Sequence, residues 1–192
     1  MKKLLTAVVA IAAGLATFAP TVANADSYVR HDAVKDVVAF DETEEQTAAP
    51  DRSEGDIVTS GASHRPRKLR LAMGFASLTH ASEFSGYLFT VRTNERKLRT
   101  VMVFAGPGMW NGQASMMSRH GRVKCRGLAT RIDYTAHRMS VTIPRRCLSA
   151  PRWVQVGMAA VTGQDEKSYV DDALSKGTLG NNLVWGPRVR KG

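Results

Sequence analysis

From position 56 onward the chain alternates apolar and polar residues with a period of two, the spacing of strands with one face in a core. In segment 67–75, Leu69, Leu71, Met73 and Phe75 point one way, and Lys68, Arg70, Ala72 and Gly74 the other. Segment 86–93 sets Tyr87, Phe89 and Val91 against Leu88, Thr90 and Arg92. Polar TNERK then leads to LRTVMVFA, which predicts a hairpin. DIVTSGASH (56–64) predicts an earlier strand, and MMSR (116–119) a short one before the turn at His120-Gly121. Segment 123–161 predicts three neighbouring strands. The first runs through Val123 and Cys125 and resumes over TRIDY. The second places Met139, Val141 and Ile143 against Ser140 and Thr142, and Pro144 ends it because proline has no ladder donor. The third runs from Trp153 to Val161. In the tail, YVDDAL predicts a single helical turn and LVWGPRV a last edge segment. No stretch of ten residues keeps a helical period, and no internal repeat is evident. The expectation is an all-β fold: an antiparallel, jelly-roll-like β-sandwich of eight or nine strands.

The first 25 residues break this pattern. Lys2 and Lys3 precede an apolar run, Leu4 to Phe18, and Ala23-Asn24-Ala25 has the form of a cleavage site. This reads as a secretory signal peptide, removed on export, with no later stretch apolar enough to span a bilayer. Residues 26–56 then form an acidic N-terminal arm with ten acids against three bases, net −7. DAVKDVVAF within it offers one short strand, and DETEEQTAAPDRSEG reads as a surface loop. Residues 57–192 carry twenty-two bases against seven acids, net +15, and form the basic sandwich domain. An exported basic body suits contact with anionic envelope polymers. Its bases are spread over nearly every strand, so the sequence does not point to nucleic acid.

Candidate chemistry is sparse. Cys125 and Cys147 in an exported chain read as one disulfide, and two thiols without a close histidine pair lack zinc spacing. The five histidines, His31, His64, His80, His120 and His137, fall in predicted turns or the leader, and no serine sits in a G-x-S-x-G setting. The sequence therefore assigns no catalytic, cofactor-binding or metal-binding residue. Calcium remains open. The acidic loop lacks EF-hand spacing, but Asp171 and Asp172 could join Asp32 or Asp36 around an ion and tie the arm to the body. Asp133, inside a strand, is expected to face solvent beside an arginine. Trp110, in the glycine-rich segment 106–115, is the best stacking candidate of the three tryptophans, Trp110, Trp153 and Trp185. Arg145, Arg146 and Arg152 make the densest basic corner, either an anion site or a solvated corner.

The runs HDAVKDVV (31–38), GDI (55–57), CRGLATRIDY (125–134), VTIPRRCL (141–148), PRWVQVG (151–157) and WGPRVRKG (185–192) resemble a group of exported actinobacterial β-rich proteins, most without an assigned function. The likeness covers essentially the whole chain after residue 25. A looser one links the V-x-V-x-I-P and W-V-x-V-G runs to the final strands of jelly-roll carbohydrate-binding-like domains; it implies a sandwich and leaves function open. The expectation is a secreted, non-catalytic binding or envelope-associated module for glycan or anionic polymer. The alternatives are a hydrolase with a loop-built site, and a structural or protein-interaction module. Oligomeric state stays open.

Overall fold

The computed structural model describes residues 27–43, 45–177 and 179–192, so the segment read as a signal peptide lies outside the described residues. The period-two runs become strands. In chain order they are β1 (Ser27–His31), β2 (Val38–Phe40), β3 (Gln46–Ala48), β4 (Ile57–His64), β5 (Lys68–Phe75), β6 (Phe84–Thr93), β7 (Leu98–Ala105), β8 (Gln113–Ser118), β9 (Gly121–Arg122), β10 (Ala129–Asp133), β11 (Arg138–Pro144), β12 (Trp153–Gln164), β13 (Lys167–Asp172) and β14 (Val189–Arg190). A short 3₁₀ helix, Arg145–Leu148, follows β11.

The strands form two sheets with antiparallel ladders. One is five-stranded, in the order β1-β4-β5-β11-β10; the other runs β3-β2-β13-β12-β6-β7-β8-β9, with β14 also paired to β12. The inward residues of both sheets make one core. Leu69, Leu71 and Met73 of β5, and Met139, Val141 and Ile143 of β11, meet Tyr87, Phe89 and Val91 of β6 and Val154, Val156 and Met158 of β12, all buried. Facing inner surfaces filled by alternating residues define a sandwich. The expected all-β, antiparallel fold with one disulfide is therefore present. Cys125 and Cys147 are bonded, with Cα atoms 5.6 Å apart.

Fourteen strands among the described residues exceed the expected eight or nine, because two- and three-residue edge segments carry too little pattern to read from sequence. Three local expectations change. Segment 123–161 does not give three neighbouring strands: β10 and β11 pair in the five-stranded sheet, while β12 lies in the opposite one. The 3₁₀ helix and the turn after it separate them, so the disulfide joins the loop before β10 to the connection that crosses between sheets. YVDDAL is not a helical turn, since residues Tyr169 to Asp172 continue β13 against β12. The arm contributes more than one strand. β1 adds to β4 at the edge of one sheet, and β2 and β3 add to β13 at the edge of the other. The arm therefore crosses from one sheet to the other between His31 and Val38.

Candidate functional site: an aspartate pocket and an open groove

Two features stand out, and the arm connects them. The first lies where the arm crosses. Asp32 and Asp36 follow β1, Asp56 immediately precedes β4, and Asp171 and Asp172 end β13. One oxygen from each of Asp36, Asp56 and Asp171 lies within 4.8 Å of the others. Asp56 and Asp171 are each 2% exposed. Part of their charge is met by amides: Asp56 Oδ2 accepts from the Lys35 N–H at 3.0 Å, and Asp171 Oδ2 from the Ile57 N–H at 2.6 Å. Lys35 reaches that position with φ of 64°, a left-handed conformation that non-glycine residues seldom adopt. The remaining oxygens, Asp56 Oδ1, Asp171 Oδ1, both of Asp36, and Asp32 Oδ2, are buried without a hydrogen-bond partner.

No described base pairs with any of these carboxyls; the ion pairs among the described residues are Lys97–Glu95 and Arg131–Asp133. Desolvation, followed by the neighbouring charge of Asp171, pushes Asp32 up to about 8. Desolvation, with Asp36, Asp56 and Asp172 adding repulsion, pushes Asp171 up to about 7. Burial also raises Asp36, helped by the charge of Asp56, and raises Asp172 against the amides of Val184 and Leu174. Buried carboxyls without a cation are costly unless protonated or coordinated. Asp36, Asp56 and Asp171 thus form a cluster able to coordinate a metal ion.

The second feature is the outer face of the five-stranded sheet. The register aligns three rows of outward residues across the strands. The middle row reads Val29, Gly61, Ala72, Ser140, Arg131. Its three central positions carry the smallest side chains, so the face is hollow along its midline. Arg70, beside Ser63 and Thr142, stands in one flanking row, and Arg138, beside Gly74 and Asp133, in the other. The result is an open groove of about 760 Å³, walled by β1 at one edge and β10 at the other. Gly61 matters for that wall. A Cβ there would lie 3.0 Å from the Tyr28 carbonyl oxygen, so any side chain at this position would press β1 outward by a few tenths of an ångström. Arg131 is bonded to Asp133 at 3.0 Å, as expected for Asp133; Arg70 and Arg138 are exposed and have no described acidic partner.

The other sequence candidates serve the scaffold. Trp110 is not an open platform: the His80 ring lies 4.7 Å from it, and Tyr134, packed edge-on at 6.2 Å, donates its hydroxyl to the Trp110 carbonyl at 2.9 Å. Arg145 donates to the Ala150 and Pro151 carbonyls, and Arg146 to the Arg126 carbonyl at 2.6 Å, so that corner fastens backbone. His64 ends β4 fully buried rather than in a turn, its Nδ1 3.3 Å from the Val189 oxygen, and His31 ends β1 within the arm. His137 Nδ1 lies 3.0 Å from the Leu78 amide nitrogen and 3.2 Å from its carbonyl oxygen, bonding one or the other according to its tautomer. A second concavity of about 480 Å³ holds Trp153, Trp185, Arg92, Arg96, Lys97 and Arg188. There Arg92 covers the Trp185 ring and Arg188 the Trp153 ring, each at 4.5 Å, so one face of each tryptophan is already occupied. No helix of the described residues is long and apolar enough to cross a membrane. No protein-family model matches the chain, and a search of curated proteins finds no match.

Asp56 was the member of the aspartate pocket that sequence reasoning missed, because it sits one residue before a strand that reads as plain scaffold. The groove was invisible for a different reason. It arises from glycine, alanine and serine aligned across three strands, and one strand at a time each is an ordinary outward residue.

Proposed function

We propose that the chain is an exported, non-catalytic binding module that holds an anionic envelope polymer in the groove of the five-stranded sheet, with calcium as the ion of the aspartate pocket. The observation that carries the reading is the hollow midline row flanked by Arg70 and Arg138, two exposed guanidinium groups that make no ion pair among the described residues. An extended chain fits an open trough. Planar guanidinium forks suit carboxylate, sulfate or phosphate groups spaced along it. Ser63, Ser140 and Thr142 add hydroxyls that can donate to sugar or anion oxygens. No tryptophan lines the trough, which favours charge and hydrogen bonding over ring stacking. Calcium is favoured in the pocket because its donors are all hard carboxylate oxygens, and Ca–O distances of 2.3–2.6 Å suit oxygens spread over up to 4.8 Å.

The test is binding of fluorescein-labelled dextran sulfate, a sulfated glycan, read by anisotropy at low and moderate salt. R70A/R138A is expected to weaken binding at least ten-fold while leaving Tm within a degree or two, since both side chains are exposed. Equal loss from removing two bases outside the groove, R119A/K167A, would contradict it.

A further inference from the structure

The aspartate pocket and the groove share one piece of chain. β1 is one wall of the groove, and among the described strands it pairs with β4 alone. Directly after it, Asp32 to Asp36 enter the pocket, and the chain then joins the opposite sheet as β2. The pocket therefore gathers three segments: the crossing arm, the residue before β4, and the end of β13. Without a cation, one carboxyl oxygen from each of those three segments lies within 4.8 Å of the others, with no described base paired to them. With one, the arm is fastened both to β4, on which β1 rests, and to the opposite sheet.

We infer that a calcium ion held by Asp36, Asp56 and Asp171 fixes β1 against β4, and that ligand binding in the groove is calcium-dependent because one of its walls is. The pocket is more than a cluster of acids, since Asp56 Oδ1 and Asp171 Oδ1 belong to side chains 98% buried and have no partner. Their second oxygens are occupied by the Lys35 and Ile57 amides, which fix the carboxyl planes. Asp36 contributes the third carboxylate, its oxygens likewise buried. Water completes the six to eight oxygens that calcium takes. Mg²⁺, with its shorter bonds and strict octahedron, fits this arrangement less well. The second half of the inference, calcium-dependent ligand binding, rests on the groove being the binding site.

Four readouts on the full chain separate the parts. Calorimetric titration of chelator-treated protein with CaCl₂ alone should show one site, and Tm should rise with calcium. D36N should weaken calcium binding at least 100-fold without lowering the Tm of the chelated protein, because it removes a negative charge that repels Asp56 and Asp171 in the metal-free pocket. D171N, which keeps the oxygen that Ile57 needs, provides a second variant. Hydrogen exchange of the β1 amides should slow at least ten-fold on adding calcium, in the wild type and not in D36N. Dextran sulfate should bind at least five-fold more tightly with calcium than in EGTA. Absence of both heat and Tm change, or a response to Mg²⁺ alone, overturns the calcium site. Calcium binding with unchanged β1 exchange overturns the clamp. If R70A/R138A leaves polymer binding intact while calcium still protects β1, the groove reading fails and the clamp stands.

Discussion

Titrating the metal-free chain from pH 7 to pH 9 should destabilise it. The reason lies in Asp32, raised to about 8, and Asp171, raised to about 7, both chiefly by burial. In the unfolded chain a free aspartate titrates near 3.9 and is fully ionised throughout this window. A raised native pKa means that the fold binds more protons than the unfolded chain. That contribution is complete at low pH and is lost as pH rises through the native value. At pH 7 a carboxyl held near 8 favours the fold by about 1.4 kcal/mol and one held near 7 by about 0.4 kcal/mol; by pH 9 both are essentially gone. Asp32 is half-buried, and solvent screening trims its share, leaving a net loss of about 1 kcal/mol. For a chain of this size that is a fall in Tm of about 2–4 °C. His64 acts in the opposite sense, because burial lowers its pKa; its effect is nearly complete by pH 7 and leaves this window clear. Tyr28, held up to about 12 by burial, is silent here as well. The assay is differential scanning calorimetry in EGTA across the window, with D32N/D171N alongside. A wild-type Tm that is flat or rises from pH 7 to 9, or the same fall in the double variant, would refute the argument.

Removing the Cys125–Cys147 bridge, which closes a loop of sequence separation 22, should cost about 3 kcal/mol and lower Tm by roughly 6–12 °C, measured by thermal melts of C125A/C147A; a change under 2 °C would mean the bridge constrains little. Trp110→Ala should destabilise the chain by about 2–4 kcal/mol through lost packing on Tyr134 and His80, yet leave dextran sulfate affinity unchanged, as read by denaturant melts and anisotropy. Gly61→Val should speed hydrogen exchange in β1 and weaken polymer binding, because a branched side chain collides with the Tyr28 carbonyl; unchanged exchange would show that β1 is not held there by close approach.

The scaffold was legible wherever a strand has one wet and one dry face. β5, β6, β7, β11 and the first part of β12 follow period two closely, and their apolar members form the core. The cysteine pair was legible from chemistry alone. What failed was long-range assignment. Nothing local to Trp153–Val161 says that it changes sheets, since an inward alternation looks the same in either layer. YVDDAL misled because Asp171 faces inward within a strand, a polar residue at a core position that strand patterning does not anticipate. That inward aspartate belongs to the metal-capable pocket. The suggested meeting of Asp36 with Asp171 was readable only as acids in the arm and acids near the C-terminus that an ion could join. The third member, Asp56, and the orphaned oxygens required the fold. The groove needed still more, since Gly61, Ala72 and Ser140 come from three strands and acquire meaning only in register.

The most direct test of the central claim is to map the bound ligand. Titrating ¹⁵N-labelled protein, calcium-loaded, with a short sulfated oligosaccharide and following amide shifts reads the binding face residue by residue. The account predicts the largest shifts at Gly61, Ala72, Ser140 and Thr142, with smaller ones along β1. Shifts centred instead on Trp153, Trp185 and Arg188, or scattered over all basic surfaces without saturation, would contradict it.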